Sequence, residues 1–172
     1  MEENSLQRFY TQQHIESVAE RIAERDNVAE LCKELNIRPE TGMDLVQQAL
    51  YDVVFLIDDS GSIRHFKLVP ELKAILKVAA LAASLFDNDG FSVRFLNSEL
   101  KGDGIRSEKD AIDLIDRVSF NGETPLVGAL KNKILIPMVE SIKNMNKPLH
   151  VIIITDGAVS RLSSRFHNYI YP

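Results

Sequence analysis

The feature that most constrains the fold is an apolar segment within residues 51–63 that ends abruptly in carboxylates and hydroxyls. Residues 53–57, VVFLI, form an unbroken apolar run without the alternation of a half-exposed strand. Such a run is typical of a strand that is covered on both faces, as in a parallel sheet. The sequence DDSGS, residues 58–62, follows it directly. Because open α/β sheets bind ligands beyond the carboxyl ends of their strands, we expect the chemistry of this protein at this loop.

Three further segments have the pattern of strands. The apolar residues 91, 93 and 95 alternate with residues 92, 94 and 96, and residues 149–154 are a second, mostly apolar run that predicts another buried strand. Residues 100–105, which contain two glycines, offer at most an edge strand. Helical patterns separate these segments, so we predict a three-layer, Rossmann-like α/β fold. Its central sheet is expected to be mostly parallel, with the strand order 2-1-4 and helices on both faces.

Several polar residues and prolines indicate where helices begin or are disturbed. Ser107 is expected to cap the helix that follows the edge strand, and Thr41 is expected to cap a second N-terminal helix. Thr124-Pro125 has the form of an N-cap followed by proline at the first helical position. Pro137 is expected to kink or divide the helix that begins there.

The chain is expected to consist of an N-terminal helical extension, residues 1–50, and a domain that covers residues 51–172. Apolar side chains recur at spacings of three and four between residues 5 and 36, which is the pattern of an amphipathic helix. Such a helix more often packs on its own domain than against a partner. A partner-binding or oligomerising role is the alternative.

Composition argues against two classes of function. A net charge of −5 and a pI near 5.4, without a basic stripe, disfavour a nucleic-acid surface. The longest nearly apolar run, residues 78–86, is far shorter than the roughly 18 residues that a membrane-spanning helix requires. With one cysteine and no signal-peptide pattern, the protein is expected to be intracellular and cytoplasmic.

Oxygen-bearing side chains from three separate segments are expected to meet at one edge of the sheet. These are Asp58, Ser60 and Ser62 after the first strand, Thr124 at a helix start, and Asp156 after residues 149–154. Alone, Thr124 is explained as a helix cap, Asp156 as a turn residue, and Ser60 and Ser62 as ordinary polar groups of a loop. Together they form a set of hard oxygen ligands, which suits Mg²⁺ or Mn²⁺ better than a soft transition metal.

In this combination the sequence resembles the von Willebrand factor A (vWA) domain family and its metal-ion-dependent adhesion site (MIDAS). The Asp-x-Ser-x-Ser signature of the family stands at Asp58, Ser60 and Ser62. The distant threonine and aspartate of the family match Thr124 and Asp156. The resemblance covers roughly residues 51–160, and residues 43–63 are similar to a group of fungal vWA-domain proteins.

The resemblance implies that Ser60 and Ser62 bind the cation directly and that Asp58 and Asp156 bind it directly or through water. Thr124 would join when a ligand is bound. The implied function is non-catalytic, divalent-cation-dependent binding of a protein partner that presents an Asp or Glu. Asp59 is outside the signature and is expected to hydrogen-bond loop amides.

Two alternatives stay open. A Mg²⁺-dependent phosphatase or phosphotransferase of the haloacid dehalogenase type would use Asp58 as nucleophile, but that family has a second aspartate where this chain has Ser60. The other alternative is a scaffold with a degenerate site. A full vWA domain continues for another helix and two strands, whereas sixteen residues follow Asp156, so the domain is expected to be C-terminally incomplete after its fourth strand.

Overall fold

The structure is a computed structural model that describes residues 9–10, 12, 15–16, 19, 27–86, 89–139 and 147–157. The helices are α1 (Asn27–Leu35), α2 (Pro39–Gln47), α3 (Gly61–His65), α4 (Val69–Phe86), α5 (Glu108–Asp116) and α6 (Leu126–Ala129), and the strands are β1 (Asp52–Ile57), β2 (Phe91–Phe95), β3 (Lys101–Ile105) and β4 (Leu149–Ile154). A 3₁₀ turn at Gln48–Leu50 precedes β1, and a π-helical segment at Leu130–Val139 continues α6. Much of the helix predicted over residues 5–36 lies outside the described residues.

The four strands form one open sheet in the order β3-β2-β1-β4. β1 pairs in parallel with both β2 and β4, and β2 pairs antiparallel with β3. The predicted order 2-1-4 and the predicted edge strand are therefore confirmed. The antiparallel pair makes the sheet mixed, so the described fold is an α/β fold with a mixed four-stranded sheet.

The central strand β1 is apolar from Val53 to Ile57, because helices cover both of its faces. Phe55 and Ile57 belong to a core with residues of α4 and α5, and the Phe55 ring meets that of Phe91 edge to face at 5.1 Å. Val54 and Leu56 belong to a second core with α6 and the π-helical segment. Successive side chains of a strand point to opposite faces, so an unbroken apolar run supplies both cores.

The N-terminal helices α1 and α2 pack on the outer side of α4. Leu31 and Val46 are buried together against Leu81, Ala82 and Leu85 of α4. In this region the chain therefore packs on its own domain. The predicted Thr41 cap is wrong, because α2 begins at Pro39, whose fixed φ and missing N–H suit the first helical position.

Two predictions for the other elements are corrected and one is confirmed. Ser107 caps α5 as predicted, since its Oγ accepts a hydrogen bond from the Asp110 N–H at 3.1 Å. Pro137 does not divide its helix but lies inside the π-helical segment, and the alternative, a kink at Pro137, stays a prediction. β4 is not a fully buried strand, because it is an edge of the described sheet and Ile153 is 40% exposed. None of the described helices is long and apolar enough to cross a bilayer.

Candidate functional site

The loop after β1 places two carboxylates side by side beneath the surface. Asp58 is 1% exposed and Asp59 is 0% exposed. Asp58 Oδ1 accepts a hydrogen bond from the Ser60 N–H at 2.9 Å, and Asp58 Oδ2 accepts one from the Thr155 hydroxyl at 2.9 Å. Two donors thus hold the Asp58 carboxylate, one from its own loop and one from the loop after β4.

The two serines of the loop are in direct contact with each other. Ser60 Oγ and Ser62 Oγ are 2.9 Å apart, and Ser60 is buried. Ser60 occupies the N-cap position of α3, but its hydroxyl makes no capping hydrogen bond. Its hydroxyl instead lies against that of Ser62, so Asp58, Ser60 and Ser62 form one continuous polar cluster.

Parallel pairing of β1 and β4 brings Asp156 to the same edge of the sheet as Asp58. Ile57 is in register with Ile154, and the Asp58 N–H donates to the Ile154 carbonyl at 2.8 Å. Thr155, which donates to Asp58, immediately precedes Asp156. The Oδ2 atom of Asp156 is buried. The two predicted carboxylates therefore follow neighbouring strands at one edge.

The third predicted segment, residues 122–124, is attached to the same loop. The Gly61 N–H donates to the Gly122 carbonyl at 3.2 Å, and Thr124 is buried. The prediction that Thr124 caps a helix is wrong, because α6 begins at Leu126 and Pro125 occupies the cap position. Pro125 has a ψ of 53, outside the helical range, which delays the helix by one residue.

Asp59 has a different set of partners from Asp58. Its Oδ1 accepts from the Asn97 backbone N–H at 2.8 Å and from Asn97 Nδ2 at 3.0 Å, and its Oδ2 accepts from the Ser98 N–H at 2.8 Å. The prediction that Asp59 binds loop amides is confirmed. Asn97 Nδ2 also donates to the Glu123 carbonyl at 2.8 Å, so Asp59 and Asn97 connect the loops after β1 and β2 with residues 122–124.

Sequence reasoning missed a lysine that stabilises the loop after β2 by hydrogen bonds to its backbone. Lys133, in the π-helical segment, is 17% exposed and donates to the carbonyls of Ser98 and Asn97 at 2.8 and 3.3 Å. It also forms an ion pair with Glu99 at 3.0 Å. No local pattern around Lys133 indicates this role, because its partners lie on a loop distant in sequence.

The donor set suits a hard cation through a combination of carboxylates and hydroxyls. The described residues contain no group of three or more His, Cys, Asp or Glu side chains that could hold a metal ion. The predicted set, Asp58, Ser60, Ser62, Thr124 and Asp156, has only two such residues, and its other oxygens are hydroxyls. Such a set fits Mg²⁺ or Mn²⁺, which accept hydroxyl and water oxygens.

Three of the five predicted residues are joined by Ser60, whose N–H donates to Asp58 and whose hydroxyl is hydrogen-bonded to that of Ser62. Asp156 and Thr124 lie on loops that are hydrogen-bonded to the loop of that cluster.

A comparison with protein-family models, with curated proteins and with solved structures found no match to this chain. The function of the site is therefore inferred from its residues and their geometry.

Proposed function

We propose that this protein is a vWA-type domain that binds a carboxylate of a partner protein through Mg²⁺ or Mn²⁺ at Asp58, Ser60, Ser62, Thr124 and Asp156. The observation that carries the proposal is the junction of three separate loops at the carboxyl ends of β1 and β4. Thr155 joins the Asp156 loop to Asp58, and Gly122 joins the Thr124 loop to Gly61. The Rossmann-like, mostly parallel fold of that family is part of the same proposal.

The spacing of the two serine hydroxyls supports a small octahedral cation. Two oxygens in adjacent positions of an octahedral shell, each about 2.1 Å from Mg²⁺, are about 3.0 Å apart. Ser60 Oγ and Ser62 Oγ are 2.9 Å apart. Because the two distances agree, the two hydroxyls can occupy adjacent ligand positions without rearrangement of the loop. The same distance is that of an ordinary hydrogen bond between them.

The ligand chemistry supports recognition by charge. When bound, a dication supplies a positive charge with a coordination position that a partner carboxylate can fill. Hydroxyl oxygens are neutral, so Ser60, Ser62 and Thr124 would leave much of the charge of the ion uncompensated.

The phosphotransferase alternative has less support from the geometry. Both oxygens of Asp58 accept hydrogen bonds, and its side chain is buried, whereas a nucleophile has to reach a phosphorus atom. Ser60, where the second aspartate of that family would stand, contacts Ser62. We expect no Mg²⁺-dependent hydrolysis of an aryl phosphate.

The proposal is tested by isothermal titration of Mg²⁺ into the wild type, Asp58→Asn and Asp156→Asn, with Asp59→Asn as the matched control. Asp58→Asn removes charge but keeps hydrogen bonding, because the amide oxygen can accept from Ser60 and the Thr155 hydroxyl can accept from the amide nitrogen. We expect the Asp58 and Asp156 variants to lose at least about tenfold in Mg²⁺ affinity.

Folded Asp59→Asn is expected to lose less Mg²⁺ affinity than either of these two variants, since Asp59 contacts Asn97 and Ser98 instead of the serines. Absence of Mg²⁺ and Mn²⁺ binding to the wild type would favour the degenerate scaffold. Equal binding by all four proteins would place any cation elsewhere on the chain and contradict the proposal.

A further inference from the structure

The segment that follows the metal-ligand candidates is basic and partly aromatic. It consists of Arg64, His65, Phe66 and Lys67, and all four side chains are exposed. Residues 60–70 contain no Asp or Glu, although the chain as a whole has a net charge of −5. A positive surface on an acidic protein is a local feature that favours an acidic partner.

The geometry of α3 places part of this surface next to the candidate metal site. The Phe66 N–H donates to the Ser62 carbonyl at 2.8 Å, which is the bond of one helical turn. Side chains four residues apart on a helix are neighbours, with about 5–6 Å between their Cβ atoms. Phe66 is therefore on the same side of α3 as the candidate ligand Ser62.

Phe66 is 62% exposed. Its ring meets the His65 ring edge to face, with centroids 5.1 Å apart. His65 is three residues from Ser62, so it is also on the adjacent side of the helix. The pair forms an exposed aromatic contact surface one turn from the candidate ligand.

The two cationic side chains of the segment, Arg64 and Lys67, form no ion pair within the described part of the chain. The ion pairs described there involve other basic residues, and neither Arg64 nor Lys67 takes part in one. Lys67 has a φ of 58, a left-handed conformation that glycine or asparagine adopts more readily. A long cationic side chain thus stands at the exposed turn that ends α3.

We infer that Arg64, His65, Phe66 and Lys67 form a second contact surface for the partner, and that the partner is an acidic protein segment. This inference rests on the proposed function. The metal-binding Asp or Glu of the partner would be followed or preceded, two or three residues away, by an aromatic or aliphatic residue and a further acidic residue. An extended chain advances about 3.3 Å per residue, so two residues span about 6.6 Å, which is close to the rise of about 6 Å over the four residues from Ser62 to Phe66.

The probes are three synthetic peptides with the cores Glu-Gly-Phe-Asp, Glu-Gly-Gly-Asp and Gln-Gly-Phe-Asn, titrated in Mg²⁺ into ¹⁵N-labelled protein. We expect the first peptide to bind about fivefold or more tightly than the second, because an aromatic pair adds to the carboxylate contact. We expect the third to bind least. Amide signals of residues 64–68 should shift with the first peptide.

The variants are Phe66→Ala, Arg64→Gln and Lys67→Asn, with Lys109→Gln as the matched control. Phe66→Ala should remove the preference for the phenylalanine peptide, and the two charge variants should weaken its binding and its dependence on salt. Asparagine is chosen at Lys67 because it tolerates a positive φ. Lys109 is an exposed lysine on α5, at the opposite end of the sheet, since β3 ends at Ile105 in register with Phe91.

The outcomes separate the two proposals. If Mg²⁺ binds but the first two peptides bind equally, or neither binds, the contact surface is wrong and the metal site stands. If Phe66→Ala and Lys109→Gln affect binding alike, the contact surface is also wrong. If no dication binds to the wild type, the proposed function fails and this surface falls with it.

Discussion

Asp58 and Asp59 are adjacent and both buried, yet their partners give them different roles. The partners of Asp58 are an amide of its own loop and a hydroxyl that can also accept a hydrogen bond. The partners of Asp59 are two backbone N–H groups and a side-chain amide, all of which donate. A neutral amide can therefore replace Asp58 with its contacts kept, whereas Asp59 requires two acceptor oxygens.

We expect Asp59→Asn to lower the free energy of unfolding by about 2–3 kcal/mol, because one backbone N–H would face an amide NH₂ and hydrogen bonds to a charged acceptor would be lost. Asp58→Asn should lower it by about 1 kcal/mol or less in the absence of metal. Urea unfolding followed by circular dichroism in EDTA measures both. A larger loss for Asp58→Asn than for Asp59→Asn would contradict this division of roles.

At the scale of elements, the π-helical segment is linked to the loop after β2 through Lys133. This lysine donates to two carbonyls of that loop and pairs with Glu99. The same loop supplies the N–H groups that hold Asp59. The π-helical segment thus stabilises the loop after β2, which in turn holds Asp59, although the segment itself contributes no candidate ligand.

We expect Lys133→Met to destabilise the protein by about 1–3 kcal/mol, since methionine retains much of the apolar stem but donates no hydrogen bond to the two carbonyls. Hydrogen exchange should become faster at the Asn97 and Ser98 amides, because their loop loses its support. Exchange in α1, which packs elsewhere, serves as the internal reference. Unchanged exchange at both amides would show that Asp59 alone holds the loop.

The elements that could be predicted are those whose cause is local. The unbroken apolar run of β1 and the cap at Ser107 follow from residues that adjoin each other in sequence. Thr124 failed as a cap because the backbone angle of Pro125 is decided by the loop in which it lies. Lys133 was missed because its partners come close only when the helix packs on the sheet.

At the scale of the whole molecule, the two ends of the sheet differ in what they carry. The carboxyl ends of β1 and β4 carry the candidate site. The opposite ends meet the N-terminal region, where the His150 and Tyr51 rings are in edge-to-face contact at 5.5 Å and His150 Nδ1 lies 2.6 Å from Gln48 Oε1. The segment before β1 is thereby linked to the start of β4 as well as to α4.

Tyr10 gives this end of the molecule a measurable pH dependence. Burial, and then the charges of Tyr51 and Asp52, raises the pKa of Tyr10 from 10.0 to about 12. The folded state therefore favours the neutral phenol, whereas the unfolded chain loses this proton near the ordinary value. The contribution of Tyr10 to stability is complete below about pH 10 and is lost as the pH rises toward about 12.

We accordingly expect the urea midpoint of the wild type to fall more steeply between about pH 9 and about pH 11.5 than that of Tyr10→Phe, which has no titrating phenol at this position. Deprotonation of lysines and of the other tyrosines affects both proteins, so the difference between the two slopes isolates Tyr10. Mg²⁺ affinity at neutral pH should be the same for both, because Tyr10 lies near Tyr51 and Asp52, at the end of the sheet opposite Asp58. Equal slopes would mean that the environment of Tyr10, beside Tyr51 and Asp52, does not disfavour its ionised form.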